Sequence, residues 1–189
     1  MPNLSDITII TPSKVYQDLE SKFPGMQTIN PVQTFSCYED LLRVYFKAML
    51  QVKTKFFHFY DDDDIVPTLP KHFPDTGIIF GNNLMIIDDK LTVYQNNHWS
   101  FKRNIREPQL IHRAVCRTED AIRILEKVAH LPLVVDWWLY AHLAKDIGFY
   151  YDPEMLAYWE KREGGLHKQM NDSRTFTHRY FRECYPVHH

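Results

Sequence analysis

Cysteine is scarce in this chain. Cys37, Cys116 and Cys184 are its three thiols in 189 residues, odd in number, far apart and without a CxxC pair. That pattern excludes a disulfide framework and offers no zinc-ligand spacing, and it suits a reduced compartment. Net charge is scarce as well. With 22 Lys and Arg against 24 Asp and Glu the formal charge is −2, so no global field holds the protein on nucleic acid or an anionic membrane, and any polyanion site has to be local. Long apolar runs are missing, because Asp136 or other charges interrupt each candidate well short of a membrane span. Residues 1–6 show no basic stretch ahead of an apolar segment, so no secretory leader is expected. The expectation is a soluble, cytoplasmic protein with no membrane association. Repeats, low-complexity tracts and linkers are absent too, and 44% hydrophobic with 24% charged residues is ordinary globular composition. One domain spanning 1–189 follows.

What is present alternates between strand and helix signals, an α/β pattern. Ile7-Thr8-Ile9-Ile10 reads as a short β-branched strand, and Thr11-Pro12-Ser13 leads from it into a helix with Val15, Leu19 and Phe23 on one face, stopped by Pro24-Gly25. Ser36 and Glu39 have the spacing of a capping box for a second helix, striped by Leu41, Leu42, Tyr45, Ala48 and Met49. An aromatic strand, Phe56 to Tyr60, follows. Beyond Pro70, the apolar runs 77–80, 84–87 and 91–94 are separated by Gly81-Asn82-Asn83 and Asp88-Asp89-Lys90, which predicts short antiparallel strands joined by turns. Thr118 is placed to cap a helix with Glu119 and Asp120 in its first turn. A further helix is expected over 136–147, ended by Gly148.

The most informative junction is Tyr60-Asp61-Asp62-Asp63-Asp64-Ile65, where four carboxylates close a core strand. Like charges this close repel unless a cation or many donors meet them, yet four acids facing water in a turn need no ligand, and the residues alone fit both readings. Their position matters, because in open α/β sheets ligands bind at the C-terminal ends of the strands.

In this order the features resemble the GT-A glycosyltransferases, family 2 in particular, along most of the chain. The resemblance implies a GT-A (Rossmann-like) central sheet flanked by helices, with a small antiparallel strand region. Thr11-Pro12-Ser13 matches the turn that helps hold the nucleotide, and Phe59 to Pro67 resembles the DxD segment, with Asp61 and Asp63 as the metal-binding pair and Asp62 beside the donor. Val135-Asp136-Trp137 falls where the family carries an acidic-acidic-Trp motif whose second acid is the base, although Val135 replaces the first acid. Trp159 to His167 is similar to the later segment with an Arg and a metal- or phosphate-contacting His, which marks Arg162 and His167. No Asp-Asp-Gly-Ser segment follows a second strand, so donor identity stays open.

The implied chemistry is physically coherent. A hard cation, Mn²⁺ or Mg²⁺, held by carboxylates binds diphosphate oxygens and stabilises the leaving group, while Asp136 takes the proton of the attacking hydroxyl in an inverting transfer. His167 is either a metal ligand or a surface residue beside Lys168. Arg162 and Lys168 flank Gly164-Gly165 and are placed for phosphate or for a solvated turn. Trp137 and Trp138 offer a stacking surface for the donor or belong to the core, and Arg113 and Arg117 read as surface charges.

From Lys161 onward basic residues interleave with Phe176, Tyr180, Phe181 and Tyr185. That pattern fits either an amphipathic closing helix over the nucleotide site or a strand-binding nucleic-acid surface. The donor expected is a nucleotide sugar, UDP-type. The acceptor is a hydroxyl, with a hydroxymethylated bacteriophage DNA base as one candidate and small glycans or proteins as others. A non-catalytic nucleotide-sugar or nucleic-acid binding module and a metal-dependent phosphoesterase are the alternatives.

Overall fold

The β-branched residues 7–10 form the middle of the parallel part of the sheet, and all four are buried. The computed structural model describes residues 4–11, 21, 23–30, 38–60, 68–87, 90–106, 113–128, 130–131, 133–160 and 171–186. In it β1 (Ile7–Ile10) lies between β2 (Gln27–Ile29) and β3 (Phe56–Phe59), parallel to both. The sheet continues through β4 (Ile78–Ile87), β5 (Lys90–Tyr94) and β6 (Val115–Arg117). β6 fits between β3 and β4, antiparallel to each, and β5 folds back on β4 as an antiparallel hairpin. Two reversals make β4 parallel to β3. A last strand, β7 (Phe149–Glu160), runs parallel to β4. Among the described residues the sheet has seven strands in the order β2-β1-β3-β6-β4-β5, with β7 on the other side of β4. The molecule is thus an α/β protein with a mixed sheet.

Because side chains alternate along each strand, the pleat divides the core in two. Ile10, Phe57, Phe59, Ile78, Phe80 and Cys116 face one layer, and Ile7, Ile9, Phe56, Tyr60, Ile79 and Val115 face the other. The first layer meets the helices α1 (Tyr38–Met49), α2 (Phe101–Arg106), α3 (Thr118–Glu126), α4 (Val135–His142) and α5 (Asn171–Cys184). In α1 the buried Val44, Tyr45, Ala48 and Met49 form the stripe expected of a surface helix, whereas α4 buries Trp137 through Ala141 without interruption and is a core helix. The chain leaves α4 through a π-helical stretch, Leu143–Ile147, which ends at Gly148 with φ 120°. The helix expected over 136–147 is therefore α-helical for its first part and wider-wound for the rest. On the opposite face Phe23, Met26, Leu69 and Phe73 cover the second layer.

Three expectations are corrected. Gly81-Asn82-Asn83 is no turn, because β4 runs straight through it. Opposite Gly81 the partner strand carries the four residues 152–155, since Phe80 pairs with Tyr151 and Asn82 already with Leu156. This bulge presses so close that a Cβ on Gly81 would lie 1.9 Å from the Met155 carbonyl oxygen. The asparagines staple it instead of turning the chain: the Asn82 amide donates to Pro153 O at 3.2 Å, and its Oδ1 accepts from Tyr151 Oη at 2.6 Å. Asp152-Pro153 reads as a turn in sequence, and a bulge is where a strand tolerates proline. That is why β7 and its parallel pairing went unexpected in a region read as antiparallel. Second, Thr118 does not cap α3. Arg117 holds the cap position without a side-chain bond, and Thr118 is the first helical residue. Third, Arg113 and Arg117 are not free surface charges. Arg113 is buried, and Arg117 joins Asp75 at 2.9 Å and Asp120 at 3.3 Å. The capping-box residue Ser36 and most of the first expected helix lie outside the described residues.

The C-terminal tail closes as an amphipathic helix. In α5 Thr177 and Phe181 are buried while Arg179, Arg182 and Glu183 face out. Phe181 meets Trp137 at 5.4 Å and Phe101 at 6.1 Å between ring centres, and the Thr177 hydroxyl accepts the Val134 amide at 2.9 Å, just ahead of α4. Residue 177 thus serves the N-terminus of a helix it is far from in sequence. α5 seats on α2 and α4.

Candidate functional site

Three parallel strands deliver their C-terminal ends to one edge. The ladder holds to its last rung: the Thr11 amide donates to Ile29 O at 3.0 Å and the Tyr60 amide to Ile10 O at 2.9 Å. Register sets Ile10 beside Phe59, so the chain leaves β1 at Thr11 and β3 at Tyr60 side by side. Both residues are fully buried. The Tyr60 ring stands edge-on to Phe23, 5.3 Å between centres, which anchors the strand just before the aspartate run. Asp61, Asp62, Asp63 and Asp64 themselves lie outside the described residues, as do Pro12, Ser13, Arg162, His167 and Lys168.

A buried cation, Arg113, stands two residues ahead of β6, which runs antiparallel to β3. Val115 pairs with His58, and just ahead of the strand the Ala114 carbonyl oxygen lies 3.1 Å from His58 Nδ1; Arg113 is the residue before Ala114. Arg113 is 7% exposed and has φ 52°, the left-handed region. For a residue with a Cβ that conformation costs about 1–2 kcal/mol, and the surrounding fold has to hold it there.

The carboxylate of Asp136 arrives from α4. It occupies the first turn, where backbone amides point outward and the helix dipole favours a negative charge. Its Oδ1 accepts the Trp137 amide at 2.8 Å. One turn further along the same helix face is Tyr140. Burial pushes the Tyr140 phenol well above the usual tyrosine range, Cys116 and Asp136 push it further, and Arg113 acts in the opposite sense. Tyr140 is therefore neutral at any physiological pH, and its hydroxyl sits within the fields of Asp136 and Arg113 together.

The structure thus sets Thr11 beside Tyr60 at the edge that the aspartate strand reaches, and sets Tyr140 within the fields of Arg113 and Asp136. Both tryptophans are core: Trp137 is 4% exposed, its ring lies against His178 and Phe181, and its indole N–H donates to Asn104 O at 3.0 Å. Trp138 lies against His142 with the rings tilted, 4.2 Å between ring centres. Neither ring is an open ledge for a base or sugar. Sequence reasoning overlooked Tyr140, whose i+4 spacing from Asp136 was a readable sign of a shared helix face, and misjudged Arg113, whose left-handed backbone no pattern announces.

Among the described residues no three His, Cys, Asp or Glu side chains gather as a metal site, and no helix is long and apolar enough to cross a membrane. No protein-family model matches the chain, and no curated protein matches it.

Proposed function

We propose that this α/β protein is a metal-dependent glycosyltransferase of GT-A type, moving a sugar from a UDP-type nucleotide donor to a hydroxyl acceptor with inversion. The observation that carries the reading is the shared edge. β1 and β3 end in step, so the Thr11 turn and the segment that follows Tyr60 leave the sheet from neighbouring strands, at the side where parallel α/β sheets take their ligands. The donor set fits a hard cation: carboxylates of Asp61 and Asp63, with the His167 imidazole, suit Mn²⁺ or Mg²⁺. When bound, such an ion offsets charge on the departing diphosphate. In this reading Thr11, Pro12, Ser13, Asp62, Arg162 and Lys168 hold the nucleotide and its phosphates, and Asp136 accepts the acceptor's proton. Trp137 contributes by seating α4 in the core.

The inward packing of Phe176, Tyr180, Phe181 and Tyr185 on the core favours this reading over a binding module that stacks nucleic-acid bases on the tail. A DNA base remains one candidate acceptor. The test is calorimetry with UDP and Mn²⁺. Asp61→Ala and Asp63→Ala are expected to keep the melting temperature, since each removes one charge from a repulsive cluster, and to lose Mn²⁺-dependent UDP binding. Unchanged affinity in both variants would rule the pair out as metal ligands.

A further inference from the structure

Cations gather on one flank of α5, although the protein as a whole carries −2. Arg174, His178 and Arg182 are spaced four residues apart, so they stand one above another along a single helix face, about 12 Å from first to last. Arg182 is exposed and the other two are half-buried. This flank faces α2: the His178 ring meets Trp137 edge-on at 4.6 Å between centres, and the Trp137 indole donates to Asn104 O of α2 at 3.0 Å. α2 itself carries Lys102, Arg103 and Arg106 and no acid. Lys55 and Arg117 share Asp75, Arg123 has Asp120 and Lys145 has Asp146. Among the described residues, by contrast, no carboxylate pairs with Lys102, Arg106, Arg174 or Arg182. Cations left together in this way repel one another, and a bound polyanion relieves that repulsion.

The spread of the charges decides the kind of anion. A single phosphate or a diphosphate meets one turn of such a stripe, whereas a chain of phosphates meets all of it. Guanidinium forks match phosphate oxygens, and contacts of that kind seat a protein on a duplex without reading its sequence. The aromatic residues of α5 point the other way, since Phe176, Tyr180, Phe181 and Tyr185 pack on the core. That leaves no ring to stack on the bases of a single strand, and no apolar face to sink into a bilayer as a membrane-surface helix does. The densely charged backbone of a duplex fits what is left. The stripe also runs past the start of α4: the Thr177 hydroxyl accepts the Val134 amide, and Trp137 touches His178 and Phe181, so residues on either side of Asp136 lean on α5.

We propose that the Arg174, His178 and Arg182 stripe of α5, with α2 beside it, binds the phosphate backbone of duplex DNA. The binding goes beyond the glycosyltransferase reading and does not depend on it; under that reading, DNA becomes the acceptor held beside Asp136.

Fluorescence anisotropy of a labelled duplex oligonucleotide, with the full chain and neither donor nor metal added, reads the contact directly. The variant is Arg174→Gln with Arg182→Gln, because glutamine is a good helix former. Its control is Lys47→Gln with Lys53→Gln, which changes net charge equally at two exposed positions elsewhere. Wild-type affinity is expected to fall steeply with added NaCl. The α5 pair is expected to bind about 10-fold more weakly at low salt, with a log–log salt slope shallower by about 2, and the control pair to match wild type. Equal losses in the two pairs would reduce the effect to net charge and overturn the proposal. So would absence of duplex binding by the wild type, or binding to phosphatidylserine vesicles in its place. If the α5 pair does not fold, Lys102→Gln with Arg106→Gln on α2 decides, and wild-type affinity there overturns the proposal. None of these outcomes involves UDP, so the glycosyltransferase reading stands or falls separately.

Discussion

The Asp136 carboxylate is asked to do two things that a single substitution separates. As a first-turn residue it complements the dipole of α4 and accepts the Trp137 amide, and as the base proposed above it would receive a proton. Asparagine keeps the shape and the acceptor oxygen but not the charge or the basicity. Asp136→Asn is therefore expected to lose only about 0.3–1 kcal/mol of stability. Its transfer rate is expected to fall about 10²–10⁴-fold, with UDP binding retained. A sugar-transfer assay run beside a melting curve checks both halves. Turnover close to wild type would leave Asp136 as a helix-start residue only. Its place in the first turn was readable because the acid opens an apolar helix. The burial of Trp137 and Trp138 was not, since a Trp-Trp pair beside an acid looks the same in sequence whether it faces a ligand or the core.

Among the elements, the β4–β7 pair carries the sharpest packing constraint. The bulge at 152–155 leaves no room at Gly81, where a Cβ would meet the Met155 carbonyl at 1.9 Å. Backbone on both sides cannot swing away as a flexible side chain would. Gly81→Ala is expected to destabilise by about 1–3 kcal/mol or more, read as a lowered urea midpoint. A midpoint equal to wild type would mean that the bulge relaxes freely. This element also shows where sequence reading stopped. The strands β1 and β3 were legible because β-branched and aromatic runs lie between clear breakers. β4 was split in two because Gly-Asn-Asn ordinarily marks a turn, and β7 was missed because Asp152-Pro153 interrupts it. Both misreadings come from one cause: turn-forming residues also serve a bulge, and only the partner strand distinguishes the two uses.

For the molecule as a whole, acidity bears on the seam between α4 and α5. His142 lies among Trp138, Phe101, Phe181 and Tyr185, with Nδ1 at 3.1 Å from Asp146 Oδ2. Burial holds its pKa below the ordinary 6.5, against the pull of Asp146 and with help from Lys145 and Lys127. His178, on the other side of the seam, is lowered by burial and then by Arg182 and Arg174. Groups with depressed folded pKa values bind fewer protons folded than unfolded. Their stabilising effect is complete above the unfolded value and is lost as pH falls through it toward the folded one. Melting temperature is expected to drop from about pH 7.5 to about pH 5, and to drop less in His142→Gln. Equal slopes in the two proteins would show that His142 does not report on the seam.

The parallel pairing of β4 with β7 also sets an order of events. β5 reaches β4 through a tight hairpin, but Asn82 and Tyr151, which lock the far side of that strand, are 69 residues apart. Closing so long a loop costs entropy before any contact rewards it, and distant strand pairing is correspondingly slow. During synthesis β4 therefore emerges and zips to its hairpin partner well before β7 exists, leaving one apolar strand edge open to the surroundings. In that interval the nascent chain is exposed to mispairing with its neighbours.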